Sequence, residues 1–382
     1  MRRLASLLLA LLLLAPVSAL AAPPAPPTVG AAAAALLSAD DGRVLWEKNG
    51  SAPMGMASTT KLMTALCALR LGDAEQMIAV PPEAVGIEGS SAYLQAGERL
   101  SLLDLLYALL LRSANDAAVA IALALCGSVQ AFADEMNAMS AEMGLEATHF
   151  VNPHGLDHPD HRTTAIELAR IAAAAYADPL IARIMATPRH TLPATASSAP
   201  RLLINHNRLL TSDARVVGGK TGYTRACGRC LVTVAEQDGT ALIAVTLSDP
   251  NDWRDHAALY DYGFAAFRTV RPSLPPPPPL PITDGQVGAI AVSVTPPPAL
   301  TLPTGARVEI SYRLTPLTAP VKEGQPCGQV ILTAHGQPLL SLPLTAARAV
   351  ERRSPPARSI PRSLARFAAW LASLFTSLFR RT

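Results

Sequence analysis

Apolar residues recur along this chain with two different periods. From about Ser58 to Asp178, Ala and Leu run in long blocks, with apolar positions such as Leu62, Leu66 and Leu69 at helical spacing. The blocks Ser101 to Leu111 and Ala117 to Cys126 continue that helical region. On either side the pattern changes to short apolar runs broken by turn residues. Ala32 to Ala39 and Arg43 to Lys48 flank Asp40-Asp41-Gly42, and Cys230 to Ala235 and Thr240 to Leu247 flank Gln237-Asp238-Gly239. Both read as hairpins. Asn251 to Phe267 reads as an amphipathic helix. Strands first, helices in the middle and strands with a helix last predict an α/β (α+β) domain, an antiparallel sheet covered by helices with a helical lobe inserted.

That domain is expected over 23–270. The run Arg271 to Pro281 contains five consecutive prolines and is a stiff spacer. Beyond it, Gly288 to Val294, Arg307 to Leu314, Gln329 to Ala334 and Leu339 to Pro343 read as strands of a small all-β domain, a sandwich over 282–348. Residues 349–382 read as a basic tether and an amphipathic helix. Leu364, Phe367, Leu371, Leu374, Phe375 and Leu378 fall on one helical stripe, with Trp370 and Phe379 beside it. No acidic residue follows Glu351, whereas Arg352, Arg353, Arg358, Arg362, Arg366, Arg380 and Arg381 do. Such a helix suits an anionic membrane surface. At the other end, Arg2 and Arg3, the apolar run Leu4 to Leu14, and Ala19-Leu20-Ala21 form a secretory signal over 1–22. The expected location is the outer face of the cytoplasmic membrane.

A net charge of +3 over 382 residues gives no reason to expect a nucleic-acid partner. Five cysteines in an exported chain leave at least one unpaired, so this is no disulfide scaffold. Cys227-x-x-Cys230 admits a disulfide, a redox pair or half a zinc site, and two ordinary thiols are favoured over all three. The histidines between His154 and His161 are interrupted by Gly155 and Pro159, so no metal and no cofactor is expected.

The chain has only four lysines, Lys48, Lys61, Lys220 and Lys322, and uses Arg elsewhere. Arg stays protonated, whereas a desolvated Lys can release its proton and act as a base. Lys61 follows Ser58 by three residues, and one helical turn brings its amine to the Ser58 hydroxyl. Serine needs such a base to become a nucleophile. An S-x-x-K string arises by chance about once or twice in a chain this long, so it carries little alone. Ser113-Ala-Asn115 lies between two helical blocks, where Ser113 can relay a proton and Asn115 can bind an amide. Val216 to Thr224 contains Lys220-Thr221-Gly222, where the cation and hydroxyl suit an anion and the glycine lets a peptide approach.

Together, S-x-x-K, S-x-N and K-T-G in that order resemble the penicillin-binding proteins and class A β-lactamases. Thr148-His-Phe-Val-Asn-Pro-His-Gly-Leu156, His161-Arg-Thr-Thr-Ala165 and Lys220-Thr-Gly-Tyr-Thr224 are similar to the low-molecular-mass D-alanyl-D-alanine carboxypeptidases. So is Val321-Lys-Glu-Gly-Gln onward, which resembles that family's C-terminal β-domain. The resemblance implies a β-lactamase/transpeptidase-like fold acting on peptidoglycan stem peptides and inhibited by β-lactams. Ser58 would be the nucleophile, Lys61 the base and Ser113 the proton shuttle. Asn115 would orient substrate, and Lys220 and Thr221 would hold its carboxylate, with Gly222 alongside and Arg254 a weaker candidate. The N–H groups of Ser58 and Tyr223 would form the oxyanion hole. Cys227 departs from the family, which more often has a small residue there. A β-lactamase would carry a Glu-x-x-Leu-Asn pattern after the middle motif, and none is found. A D,D-endopeptidase is a closer rival, and an inactive peptidoglycan-binding scaffold the non-enzymatic one.

Overall fold

A computed structural model describes residues 24–354 and 362–378. The expected signal segment and Phe379 therefore lie outside the described residues. The described residues divide into two compact units, 24–271 with 298–305, and 272–297 with 306–354 and 362–378.

The first unit is built on a five-stranded antiparallel sheet. Its strands are β1 (Ala33–Ser38), β2 (Val44–Lys48), β3 (Val216–Thr224), β4 (Gly228–Gln237) and β5 (Thr240–Leu247), in the order β2-β1-β5-β4-β3. β1 is buried at every position because both faces of the sheet are covered. Ala33, Ala35 and Leu37 join the larger core, while Ala34 and Leu36 join a second core with Leu259 and Tyr260. This period of two is what a strand between two helical layers requires. The turn between β4 and β5 has positive φ at Asp238 (51°) and Gly239 (74°), the backbone that a tight hairpin needs.

The helices are α1 (Lys61–Leu71), α2 (Leu102–Leu111), α3 (Asn115–Cys126), α4 (Val129–Glu142), α5 (Ala165–Ala177), α6 (Pro179–Ala186) and α7 (Asp252–Ala266). α2 and α3 are buried over most of their length, which is why Ala and Leu dominate them on every side. α5 opens on Thr164, whose hydroxyl accepts from the Glu167 N–H at 3.1 Å. α7 covers the opposite face of the sheet, through Leu259 and Tyr260.

Two features of this unit go beyond the sequence pattern. Ser58 does not cap α1. It sits in a 3₁₀ turn, Ala57–Thr60, and its hydroxyl is engaged with Lys61 and His154 instead of helix amides. Residues beyond the proline run also return to this unit, where Leu300–Pro303 pairs antiparallel with Phe267–Val270. Proline fragments this stretch of sequence (Pro296 to Pro298, then Pro303), so periodicity could not assign the strand.

The second unit has a three-stranded sheet, Ala289–Ile290, Leu280–Thr283 and Leu317–Thr318, and a four-stranded one, Val292–Val294, Gln337–Ala346, Pro326–Ala334 and Val308–Leu314. The first of these includes the end of the spacer. α8 (Arg362–Leu378) is the expected tail helix. Leu364, Phe367, Trp370 and Leu371 are exposed on it, and the Phe367 and Trp370 rings stack at 5.8 Å. Among the described residues no single helix is long and apolar enough to cross a membrane.

Candidate active site

The Ala57–Thr60 turn and the start of α1 place Ser58 and Lys61 side by side. Lys61 is fully buried, and its Nζ lies 2.9 Å from Ser58 Oγ, 2.7 Å from Asn115 Oδ1 and 2.6 Å from the His154 carbonyl. Burial, and then the charge of Lys220, holds the Lys61 amine well below its ordinary value, against a smaller opposing pull from Asp116. The neutral amine has two N–H groups and one lone pair. Asn115 Oδ1 and the His154 carbonyl can only accept, so they take the two N–H groups. Its third partner, the Ser58 hydroxyl, is the one of the three that can also donate, so the lone pair of the neutral amine can accept from it once that hydroxyl turns from the His154 carbonyl.

The middle motif supplies the wall behind this pair. Asn115 opens α3, and its amide Nδ2 donates to the Glu88 carbonyl at 2.5 Å, which orients Oδ1 toward Lys61. Asp116 accepts from the N–H groups of Ala92 and Leu94 and from the Ser91 hydroxyl, so it fastens the loop that presents Ser90. Ser113 has φ of 61°, a left-handed conformation unusual outside glycine, and its Oγ accepts from Lys220 Nζ at 2.9 Å. Lys220 is buried, also donates to the Thr221 carbonyl at 2.7 Å, and burial lowers its amine to about 7.

β3 brings Lys220, Thr221, Gly222 and Tyr223 along the edge of the sheet. A Cβ at Gly222 would lie 3.1 Å from Ser58 N and from Met56 O, so the strand runs directly against the Ser58 turn. A side chain there would crowd the Ser58 turn and force it to give by a few tenths of an ångström. The backbone amides of Ser58 and Tyr223 thus belong to adjacent, touching segments.

A cleft of about 560 Å³ opens on this arrangement, lined by Ser58, Ser113, Thr221, Gly222 and Tyr223. Ser90, His206, Arg208, Arg229 and Trp253 also line it. Arg254 is not among the lining residues. Its Nε reaches Asp255 at 3.4 Å and its side chain is mostly exposed. α7 turns the neighbouring Asp252 and Trp253 to the cleft instead, and they hold Arg229 by a two-pronged ion pair (3.0 and 2.8 Å) and by its stacking on the Trp253 ring (5.5 Å). Sequence reasoning missed Asp116, the His154 carbonyl, Ser90 and Arg229. Their positions depend on loop paths and strand register that no local pattern encodes.

Cys227 and Cys230 are both free, Cys230 buried and Cys227 half-buried. His154 and His161 lie on the loop behind Ser58, and among the described residues no group of three or more His, Cys, Asp or Glu is arranged to hold a metal.

A serine held against a buried lysine, in a turn packed on an antiparallel sheet edge, fits a serine acyl-transferring hydrolase. The family profile of the D-alanyl-D-alanine carboxypeptidases, peptidase family S11, matches residues 20–251, and the chain belongs to that family. It is a serine-type D-alanyl-D-alanine carboxypeptidase of the bacterial cell wall. The chain is 30% identical to D-alanyl-D-alanine carboxypeptidase DacC of Escherichia coli over 88% of each chain. It is 28% identical to D-alanyl-D-alanine carboxypeptidase DacF of Bacillus subtilis over 81% of this chain and 83% of that one. Penicillin binding protein 5 of Haemophilus influenzae superimposes with a TM-score of 0.76 at 27% identity, covering 86% of this chain and all of its own.

Proposed function

We propose that Ser58 attacks the carbonyl of the penultimate D-alanine of a peptidoglycan stem pentapeptide. Its proton passes to neutral Lys61 as the Oγ–C bond forms. The oxyanion is met by the N–H groups of Ser58 and Tyr223. Collapse breaks the peptide bond as Ser113 gives its hydroxyl proton to the leaving D-alanine amine and takes one from Lys220, 2.9 Å away, which in turn recovers the proton that Lys61 took from Ser58. Asn115 orients the substrate amide, while Lys220 and Thr221 hold the terminal carboxylate, with Gly222 giving room. Arg254 has no part. Water then hydrolyses the ester and frees Ser58. A β-lactam enters by the same attack and leaves a slower ester. The observation carrying this reading is the buried Lys61 amine 2.9 Å from Ser58 Oγ, with its other two contacts made to oxygens that only accept. The experiment is acylation with penicillin followed by peptide mapping by mass spectrometry. The expected adduct lies on the peptide containing Ser58, and an adduct on any other residue would overturn the assignment.

The chain is further read as exported, with residues 1–22 removed and α8 attached to the outer face of the cytoplasmic membrane. The exposed row Leu364, Phe367, Trp370 and Leu371, with Arg366 on the same helix, supports this. The mature chain is expected to sediment with vesicles containing anionic phosphatidylglycerol and much less with purely zwitterionic ones. Phe367→Asp with Trp370→Asp is expected to lower vesicle binding at least about a hundredfold, since each removes roughly 1.5–3 kcal/mol of apolar burial. Unchanged binding would remove the anchor from α8.

A further inference from the structure

Ala57 precedes the nucleophile, and its carbonyl belongs to the same peptide group as the Ser58 N–H. That carbonyl is held tightly from two sides. Ala57 has φ of 48°, a left-handed conformation that a non-glycine residue keeps only when its surroundings hold it. Gly155, at φ of 86°, packs so closely that a Cβ there would overlap the Ala57 oxygen. On the other side Thr60 Oγ1 donates to the Ala57 oxygen at 2.7 Å.

Thr60 Oγ1 in turn lies 2.8 Å from His161 Nε2. The direction of this contact is fixed by the other ring nitrogen, because His161 Nδ1 accepts from the Val151 N–H at 3.1 Å. The neutral ring therefore carries its proton on Nε2 and donates it to Thr60, whose own proton is free only for Ala57. Burial, then the neighbouring His149 and His158, lowers the His161 ring to about 4, which keeps it neutral where the enzyme works. Thr60 and His161 are both buried, and the Phe150 ring meets His161 edge-on at 5.8 Å.

We propose, on the reading of Ser58 as nucleophile and of its N–H as an oxyanion donor, that His161 and Thr60 are positioning residues for the reaction. The chain His161 Nε2–H, Thr60 Oγ–H, Ala57 C=O ends on the peptide whose N–H faces the developing negative charge. Hydrogen bonds in series polarise one another. Each donation onto the Ala57 oxygen draws electron density from the Ser58 nitrogen and makes its N–H a stronger donor. The same contacts fix the plane of that peptide before substrate arrives, so no reorientation is needed as the oxyanion forms.

The test uses full-length protein acylated by a penicillin labelled with carbon-13 at the lactam carbonyl. Infrared difference spectra read the ester carbonyl stretch, which falls as the oxyanion hole donates more strongly. Thr60→Val keeps the shape and removes the donor. It is expected to slow acylation about tenfold, less than the 10²–10³ lost with a direct donor, to leave KM for the peptide substrate unchanged, and to raise the stretching frequency. Thr60→Ser should restore both rate and frequency. His161→Phe should behave like Thr60→Val, and His161→Gln, which returns an N–H near Nε2, should recover part of the loss. Should Thr60→Val not fold, His161→Phe and His161→Gln make the same comparison. Slower acylation with an unmoved stretch, or an unchanged rate, in folded variants would overturn the relay alone. Absence of any Ser58 adduct in the wild type would overturn the nucleophile reading and the relay with it.

Discussion

Ser58→Ala protein, folded and stable, will take up no fluorescent penicillin and will release D-alanine from a pentapeptide at least about 10⁴-fold more slowly than wild type. The size of the effect follows from what surrounds the missing oxygen. Two further hydroxyls follow directly in the chain, and neither can substitute. Thr59 Oγ1 donates to the Met56 carbonyl at 2.6 Å, and Thr60 Oγ1 to the Ala57 carbonyl at 2.7 Å, so both are turned into their own buried turn. Ser113 lines the cleft, yet it faces Lys220 and not the amine fastened by Asn115 and His154. The substitution creates no overlap and removes the hydroxyl's two contacts, with Lys61 and with the His154 carbonyl, from a half-buried site, so stability should change by no more than about 1–3 kcal/mol. Gel fluorescence after penicillin labelling and a thermal melt of the same samples check both halves. A persistent adduct in the variant would transfer the role to Ser113 or Ser90.

The three motifs were legible because each depends on local chemistry. A serine and lysine one turn apart, a caps-rich break between helices and a glycine beside a cation are all visible without tertiary information. The antiparallel sheet and its helical cover were legible for a similar reason, since β1, β4 and β5 lie beside clear turn residues. What stayed hidden depends on parts of the chain distant in sequence. The His154 carbonyl reaches Lys61 from 93 residues away, and no side-chain pattern marks a backbone oxygen as a ligand. Arg254 was expected near the carboxylate as a weaker candidate that the family resemblance implied. The helix rotation that buries Asp252 and Asp255 turns it outward, and Arg229, the cross-strand neighbour of Tyr223, takes the place at the cleft wall. A helical start can be read from sequence to within a residue or two, but each residue of error rotates a side chain by about 100°.

The rarity of lysine leads to the second large effect. Lys61→Arg is expected to lower acylation about 10³-fold, within the range for loss of a general base, because a guanidinium has no lone pair to offer Ser58. The pH dependence separates this from mere crowding. Neutral Lys61 is the active form, so kcat/KM should rise with pH through the Lys61 value, which burial and Lys220 hold far below that of a free lysine. Lys220 acts in its charged form and titrates at about 7, so kcat/KM should fall again as pH rises through that point. The two limbs make a bell, with the Lys61 limb on the acid side because the charge of Lys220 disfavours a second proton nearby. Bound substrate carboxylate stabilises charged Lys220, so the alkaline limb should move upward in kcat relative to kcat/KM. Lys220→Met should weaken substrate capture and also lift its repulsion from Lys61, moving the acid limb to higher pH. An acid limb that stays in place in Lys220→Met would show that the two amines are not coupled, and would assign that limb to another group.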